Sequence, residues 1–345
     1  MLIRNDVPLA DYTTLKLGGP AKHFVEVRDE NELAEALSWA RSRNERVFVL
    51  GGGSNLIVPD AGVDGLVVSI ALRGIAHDTG KAGSTLLRVQ AGEPWDSVVG
   101  VALEANLAGI ESLSGIPGQA GATPIQNVGA YGQEVKDTIV RVRVFDREDR
   151  CFSELTAAEC EFSYRHSRFK TRDRDRFIVT RVDFELQTRD RADVRYPELA
   201  RALAERGREA SLVCVRQTVL ELRRSKSMLI DAQDPNGRSC GSFFLNPIVE
   251  PQAADRAQSA LGVGEMPRYP QSDGRTKLSA AFLIEHSGFA KGTRVGHVGI
   301  STRHSLALVA HAGATSAELM QFASQVQDGV RARTGVLLSL EPVLW

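Results

Sequence analysis

The sequence predicts a mixed fold of helices and strands that is divided into two or three domains. Amphipathic helix patterns and apolar strand patterns both occur along the chain, and neither type is confined to one part. The chain also has 345 residues, which is long for one compact domain.

The N-terminal part predicts one helix and two strands. Asp29 is followed by Glu32 three residues on, which is a helix-start signature. Short apolar strands are predicted at 47–50 and near 66–70. The residues that follow the helix start at helical spacing are Leu33, Ala36, Leu37 and Ala40.

The middle of the chain predicts a strand at 86–91 and then a helix whose apolar face begins at Trp95 and which stops at Gly109. Alternating apolar and polar residues at 140–145 and 178–186 are typical of half-buried strands.

The last part of the chain predicts a helix at 278–285 and glycine-spaced strands at 292–310. Thr315 and Glu318 form a capping-box pair, so a second helix is expected to start there and to end at Gly335.

Composition excludes several classes of protein. The 42 Lys and Arg residues balance 43 Asp and Glu residues, which argues against a basic nucleic-acid binder or a disordered acidic chain. No apolar run approaches the roughly 18 residues of a membrane span, and the N-terminus lacks a signal-peptide pattern. The four cysteines show no CxxC spacing, and the seven histidines show no HExxH motif. We therefore expect a cytoplasmic protein without a metal site.

A glycine-rich turn follows the predicted strand at 47–50. Its residues are Gly51, Gly52, Gly53, Ser54 and Asn55. Successive N–H groups in such a turn can form an anion-binding nest. No Lys follows, and the spacing is not GxGxxG, so neither a Walker A loop nor a Rossmann fingerprint is present. A phosphate-binding turn and an ordinary turn both remain open.

A second glycine-rich loop, 112–132, is longer than ordinary connections. Its glycines stand at 115, 118, 121, 129 and 132, and such a loop either wraps closely round a flat or anionic ligand or forms a structural Ω-loop. Two such loops in one half of the chain favour a large cofactor, such as a dinucleotide.

Two further segments carry candidate chemistry. The charged run 164–176 is either a solvated surface loop or the source of an inward Arg that binds a carboxylate or phosphate. Ser242 lies in GSFFLNP without the GxSxG spacing of a hydrolase nucleophile. It is either part of a core turn or a proton donor, and a donor role needs a strongly basic, carbanion-like acceptor.

Six blocks of sequence, taken in order, resemble the UDP-N-acetylenolpyruvoylglucosamine reductase family, the flavoenzymes that make UDP-N-acetylmuramate for peptidoglycan. The similarity runs nearly end to end. The blocks are LGGGSNLIV (50–58), SGIPGQAGATPIQNVGAYGQE (114–134), CEFSYRHSRFK (160–170), GSFFLNP (241–247), YPQSDGRTKLSAAFLIE (269–285) and LEP (340–342).

The resemblance implies an α+β fold. It comprises an FAD-binding domain of the vanillyl-alcohol-oxidase (PCMH) type, built of two α+β subdomains, and a C-terminal α+β substrate-binding domain. The expected boundaries are 1–72, joined by 335–345, for the first subdomain, 73–212 for the second, and 213–334 for the substrate domain.

The resemblance also implies FAD as cofactor and NADPH as co-substrate. The expected FAD contacts in the first loop are Gly51, Gly52, Gly53, Ser54 and Asn55, round the pyrophosphate. Those in the second loop are Gly115, Gly118, Gly121, Ala122, Thr123, Gln126, Asn127 and Gly129.

The implied reaction reduces UDP-N-acetylglucosamine enolpyruvate. Hydride passes from NADPH through flavin N5 to the enolpyruvyl methylene, and Ser242 gives a proton to the neighbouring carbon. A Ser hydroxyl is a poor acid, but an enolate carbon is a strong base, which weakens that objection to Ser242 as the proton donor. Arg165 and Glu341 would bind the substrate carboxylate. The other implied substrate contacts are Tyr131, Tyr196, Lys226, Asn246, Tyr269 and Lys277, and Tyr196 implies the type I subgroup, with a Tyr-bearing loop over the substrate.

The chain departs from the family pattern in three places. The segment from Lys226 to Ser242 is longer than in the enterobacterial form, and the chain ends EPVLW where relatives often continue EPEVR, without the cation. Glu285 and His286 remain alternatives for a uridine contact. Two other functions compete, namely an FAD-dependent oxidase of a sugar or hydroxy acid, and a nucleotide-binding module without redox chemistry. We expect a monomer.

Overall fold

The computed structural model describes residues 1–81 and 83–345. The described residues form helices α1 (Glu30–Ser42), α2 (Trp95–Glu104), α3 (Pro197–Glu205), α4 (Leu212–Ser225), α5 (Pro251–Leu261), α6 (Ala280–His286) and α7 (Ser316–Thr334). None of the helices described is both long and apolar enough to cross a membrane.

The strands of the N-terminal half are β1 (Ile3–Pro8), β2 (Pro20–Val27), β3 (Val47–Leu50), β4 (Leu56–Ile57), β5 (Val63–Ile70), β6 (Ile75–Thr79), β7 (Ser84–Gln90), β8 (Leu107–Ala108), β9 (Gly129–Ala130), β10 (Gln133–Glu134), β11 (Ile139–Asp146) and β12 (Cys151–Thr156). The remaining strands are β13 (Phe177–Thr188), β14 (Ile248–Val249), β15 (Arg268–Pro270), β16 (Thr276–Leu278), β17 (Arg294–Val295), β18 (Val298–Ile300), β19 (Leu308–Ala310) and β20 (Val343–Leu344).

Two larger sheets carry most of the strand pairing. The first has the order β1-β2-β5-β3, with β3 and β5 parallel. The second has the order β12-β11-β13-β7-β6, with β8 paired to β13, and its pairs are antiparallel. Small sheets join β9 with β10, β14 and β15 with β16, and β17 and β19 with β18, while β20 pairs in parallel with β4.

The chain forms two compact units. The first consists of Met1–Asn5, His23–Gly52 and Asp64–Arg224, and the second of Asp6–Lys22, Gly53–Val63 and Ser225–Trp345. The core of the first unit contains Trp95 and Phe184, whose ring centroids are 5.6 Å apart. That of the second contains Phe243, Phe244 and Phe322. The three-part division drawn from the sequence stays a prediction.

Both predicted helix starts are confirmed by their capping bonds. Asp29 Oδ1 accepts a 2.8 Å hydrogen bond from Glu32 N, so α1 begins directly after Asp29. Thr315 Oγ1 accepts from Glu318 N at 3.0 Å, and α7 ends at Gly335, whose φ is +72°.

Two predicted helix bounds are wrong. Helix α2 ends at Glu104, not at Gly109, because Asn106 takes a left-handed φ of +54°, and 107–108 then pair with β13 as β8. Helix α6 begins at Ala280 because Ser279 Oγ accepts from Phe282 N at 3.3 Å, which leaves 276–278 to form β16.

Candidate active site

The predicted site residues fall in both compact units. The first unit holds Gly51, Gly52, Gly115, Gly118, Gly121, Ala122, Thr123, Gln126, Asn127, Gly129, Tyr131, Arg165 and Tyr196. The second holds Gly53, Ser54, Asn55, Lys226, Ser242, Asn246, Tyr269, Lys277 and Glu341.

The two glycine-rich loops meet in the first unit. A Cβ placed on Gly52 would lie 2.7 Å from Gly118 Cα, so the two backbones approach more closely than any side chain permits. A Cβ on Gly121 would lie 2.5 Å from Ala91 Cβ. Packing therefore requires glycine at both 52 and 121, and the contact at Gly52 is the one that brings the two loops together.

The meeting point of the loops fits a ligand with both anionic and hydrogen-bonding groups. Within 1–81 and 83–345, the backbone N–H groups of Gly52 and Gly53 donate to no protein acceptor. Gln119 Oε1 is buried and has no partner there, and it would lie 3.4 Å from a Cβ on Gly51. The two N–H groups of the glycine turn could bind a pyrophosphate, and Gln119 Oε1 could accept a hydrogen bond from an N–H or O–H group of the cofactor. These residues therefore fit FAD.

Asn127 joins the second loop to the neighbouring turn. Its side chain is fully buried, and its Nδ2 donates to Glu134 Oε2 and to Ser163 O, both at 2.9 Å. Its Oδ1 accepts from Lys136 N at 3.1 Å. The amide is thus engaged by protein groups, and Asn127 holds the loop in shape.

Arg165 lies on a tight turn that is fastened to the same loop. Ser163 and His166 exchange two 3.1 Å backbone hydrogen bonds, and Arg165 between them has a left-handed φ of +52°. Its Nη2 donates to Gly129 O at 2.8 Å. This contact favours the inward alternative for one Arg of the charged run, whereas Arg176 in that run forms an ion pair with Asp146 at 2.6 Å.

Tyr131 and Tyr196 form an aromatic pair in the first unit. Their ring centroids are 5.7 Å apart in an edge-on arrangement. Burial raises the pKa of Tyr131 to about 12, so its hydroxyl is protonated at neutral pH and can donate a hydrogen bond. Tyr196, directly before α3, is 41% exposed.

In the second unit, backbone hydrogen bonds fix the segment that carries Ser242. Phe243 N donates to Leu306 O at 2.7 Å, and Glu341 N donates to Phe243 O at 3.0 Å. Gly241, with a φ of +77°, makes the turn that precedes Ser242. The residue after Ser242 is therefore bonded directly to Glu341, which is itself buried.

The C-terminal segment is anchored at the first glycine-rich turn. Asn55 Nδ2 donates to Glu341 O at 3.3 Å, and Val343 N donates to Asn55 O at 3.0 Å. These bonds continue into the parallel β4–β20 pair, so the EPVLW segment is held in place at this turn, and Asn55 supports the backbone of Glu341.

The remaining substrate candidates of the second unit lie on the paired strands β15 and β16 and near the ends of helices. Lys277 is the register partner of Tyr269, and its Nζ lies 5.9 Å from the Tyr269 ring centroid. Asn246 Oδ1 accepts from Ala280 N at 2.9 Å, at the start of α6. Lys226 directly follows α4.

The choice between Glu285 and His286 stays open. Glu285 accepts from Ser305 Oγ and pairs with Lys291 Nζ at 3.5 Å. The exposed His286 ring stacks on Phe282 with centroids 3.8 Å apart.

No sequence pattern predicts a role for Asp96, Arg216 and Arg223. In the structure, Asp96 and Arg223 contact the Gly115 turn, and Arg216 contacts Asp96. They lie on α2 and α4, and no local motif links residues that far apart. In the described ranges, no group of three or more His, Cys, Asp or Glu residues could hold a metal ion.

The class of protein follows from the juxtaposed loops and from a family match that covers them. A family described as "FAD binding domain" matches residues 21–152, and the chain is an FAD-dependent oxidoreductase. A second family, "UDP-N-acetylenolpyruvoylglucosamine reductase, C-terminal domain", matches residues 233–345. The chain belongs to the UDP-N-acetylenolpyruvoylglucosamine reductase family.

Full-length relatives agree with this assignment. The chain is 47% identical to UDP-N-acetylenolpyruvoylglucosamine reductase of Thermobifida fusca, over 98% of the chain and 97% of the relative. It is 48% identical to the enzyme of the same name from Saccharopolyspora erythraea, over 97% and 94%. The crystal structure of UDP-N-acetylenolpyruvylglucosamine reductase from Thermus caldophilus aligns over 100% of both chains with a TM-score of 0.69 and 28% identity.

These matches confirm the predicted family, the α+β class with its FAD-binding domain, and the FAD-dependent oxidoreductase activity. They do not favour the sugar or hydroxy-acid oxidase alternative. The roles of individual site residues stay predictions.

Proposed function

We propose that the chain reduces UDP-N-acetylglucosamine enolpyruvate to UDP-N-acetylmuramate with NADPH, as a step of peptidoglycan precursor synthesis. The relatives' shared name supports the substrate. The observation that carries the proposal is the fixed linkage of the Ser242 segment to Glu341 through Phe243 O. Bound FAD would supply the hydride, and the residues of the two glycine-rich loops would hold the cofactor.

Ser242 is the proposed proton donor. Hydride added to the enolpyruvyl methylene leaves enolate character on the carbon next to the carboxylate, and the Ser242 hydroxyl protonates that carbon. Phe243, the next residue, forms backbone hydrogen bonds with Leu306 at 2.7 Å and with Glu341 at 3.0 Å. These bonds fix the position of the backbone from which the Ser242 side chain extends.

Arg165 and Glu341 are the proposed carboxylate-binding groups. The strained turn and the bond to Gly129 O hold Arg165 in one orientation, so its planar fork is preorganised for a carboxylate and for the charge that develops there. A protonated Glu341 would donate a hydrogen bond to the same group.

The uridine diphosphate and sugar are the proposed partners of the remaining candidates. Lys277 would supply a cation to the diphosphate beside the half-exposed ring of Tyr269, with Lys226 as a second cation. Protonated Tyr131 would donate a hydrogen bond, exposed Tyr196 would cover the substrate, and Asn246 Nδ2 would donate to it. We place the enzyme in the cytoplasm as a monomer that inserts into no membrane and binds no nucleic acid.

The test separates the two half-reactions anaerobically. NADPH should bleach the flavin of Ser242→Ala at the wild-type rate, but reoxidation by UDP-N-acetylglucosamine enolpyruvate should slow by about 100-fold or more, as for loss of a general acid. Ser259→Ala, an exposed serine change on α5, is the matched control. Equal reoxidation by Ser242→Ala and wild type would remove Ser242 from the acid role, and reoxidation by oxygen but not by this substrate would refute the reductase.

A further inference from the structure

Charged side chains from two helices hold both sides of the Gly115 peptide turn. Asp96 Oδ1, on α2, accepts from Gly115 N at 2.6 Å. Arg223 Nε, on α4, donates to Gly115 O at 3.1 Å. Gly115 has a left-handed φ of +71°, so these bonds fix a conformation that its neighbours in the loop must follow.

Asp96 is in turn fixed by a second Arg of α4. Arg216 Nη1 and Nη2 donate to the two carboxylate oxygens of Asp96 at 2.7 and 2.8 Å, a bidentate geometry that fixes direction as well as distance. Burial raises the pKa of Asp96, but the hydrogen bonds from Arg216 and Gly115 N outweigh it and leave the pKa below its ordinary value. Asp96 is therefore ionised at neutral pH.

Arg223 completes the arrangement from inside the unit. Its side chain is 8% exposed, and burial lowers the pKa of its guanidinium while the charge of Asp96 raises it. A buried cation is costly unless acceptors surround it, and Gly115 O is one of them. A shift of the Gly115 turn would therefore also disturb Arg223.

We propose that the Asp96–Arg216 ion pair is a positioning device for the cofactor loop. Through Gly115 N it keeps the loop in its FAD-binding conformation, and so sets how tightly the enzyme retains FAD. This inference rests on the proposed placing of Gly115 among the FAD-binding residues. Asp96 and Arg216 act through Gly115 and are positioning residues.

Variants of Asp96 that remove its interactions one at a time distinguish this role from a purely structural one, in which the ion pair only joins α2 to α4. Asp96→Asn keeps an acceptor for Gly115 N but loses the charge, whereas Asp96→Ala loses both. We expect FAD to dissociate about threefold more readily from the Asn variant, because a partly exposed ion pair contributes little. From the Ala variant we expect about tenfold faster loss, which corresponds to the low end for a hydrogen bond to a charged group. Arg216→Gln should release FAD about as readily as Asp96→Asn does.

A matched control lies on α4, the helix that carries Arg216. Glu221 on α4 pairs with Arg208 at 2.8 Å and is 37% exposed, against 42% for Asp96. Glu221→Gln therefore removes a comparable ion pair that does not contact the loop. It should lower the thermal unfolding temperature as much as Asp96→Asn does, without changing FAD retention.

The experiment dilutes each holoenzyme and follows released FAD by fluorescence, together with the visible circular dichroism of the bound flavin and the unfolding temperature. Graded FAD loss and an altered flavin spectrum at position 96, absent in Glu221→Gln, are expected. Wild-type retention by Asp96→Ala would overturn the inference. If Gly115→Ala nonetheless loses FAD, the proposed cofactor loop stands and only the ion-pair role fails; if it also retains FAD, both fail.

Discussion

Gly52→Ala is the substitution that tests the contact between the two glycine-rich loops. The new Cβ would lie 2.7 Å from Gly118 Cα, 3.1 Å from Gly118 C and 3.4 Å from Gln119 N. Carbon atoms in contact stand about 3.5–4.0 Å apart, so the loops would have to separate by roughly 1 Å. The obstructing atoms are backbone, so no side chain can rotate away.

The magnitude follows from the cost of such overpacking. Extra atoms in a packed site cost about 1–3 kcal/mol. If the loops separate to relieve the clash, that cost falls on the FAD-binding conformation, and FAD affinity should drop by about 5- to 150-fold. We therefore expect Gly52→Ala to be purified with substoichiometric FAD.

The assay is the ratio of flavin to protein absorbance after purification, followed by fluorescence titration with FAD. Gly100→Ala is the control, because a Cβ there meets nothing within 4 Å and Ala is favoured over Gly inside a helix such as α2 by about 1 kcal/mol. It should retain FAD fully. Wild-type FAD content and affinity in Gly52→Ala would refute the argument that this contact shapes the cofactor site.

Three further predictions concern separate features. Arg165→Lys should raise KM for the enolpyruvyl substrate and lower kcat, because the charge stays but the fork is lost; near-normal steady-state kinetics would argue against a bidentate carboxylate contact. Asp29→Ala should cost about 1 kcal/mol in the free energy of unfolding through loss of the bond from Glu32 N; an unchanged urea midpoint would contradict that. The hydrogen bond from Arg176 lowers the pKa of Asp146. The pair therefore stabilises the fold fully at pH values above the ordinary pKa of Asp, and this contribution is lost as the pH falls through the lowered pKa of Asp146. Arg176→Gln should thus unfold at a lower temperature than wild type at pH 7, a gap that should narrow in acid; a pH-independent gap would refute the sign.

Local patterns predicted the helix starts because a cap is a short-range device. Asp29 with Glu32, and Thr315 with Glu318, satisfy N–H groups within one turn, and the structure forms both bonds. The end of α2 could not be predicted in this way. It depends on Asn106 adopting a left-handed conformation and on 107–108 pairing with β13, a partner some eighty residues further along the chain.

The candidate site shows the same limit. The glycine-rich loops are visible in the sequence, but the 2.7 Å approach of Gly52 to Gly118 depends on the fold that brings the loops together. Asp96 and Arg216 belong to ordinary amphipathic helices, 120 residues apart, so nothing local marks their shared contact. The resemblance predicts Asn127 as a cofactor contact; its side-chain amide has three protein partners, which no local pattern shows, and its contact with the cofactor stays a prediction.

The measurement that most directly tests the proposed reaction is the position of solvent deuterium in UDP-N-acetylmuramate formed from the enolpyruvyl substrate and unlabelled NADPH in D₂O. The hydroxyl of Ser242 exchanges with solvent, so we expect one deuterium on the carbon next to the carboxylate. The hydrogen delivered as hydride enters the methyl group, which gains solvent deuterium only to the extent that this hydrogen exchanges while it is on the flavin. Solvent deuterium in the methyl group, with none on the neighbouring carbon, would contradict the proposed direction of hydride and proton delivery.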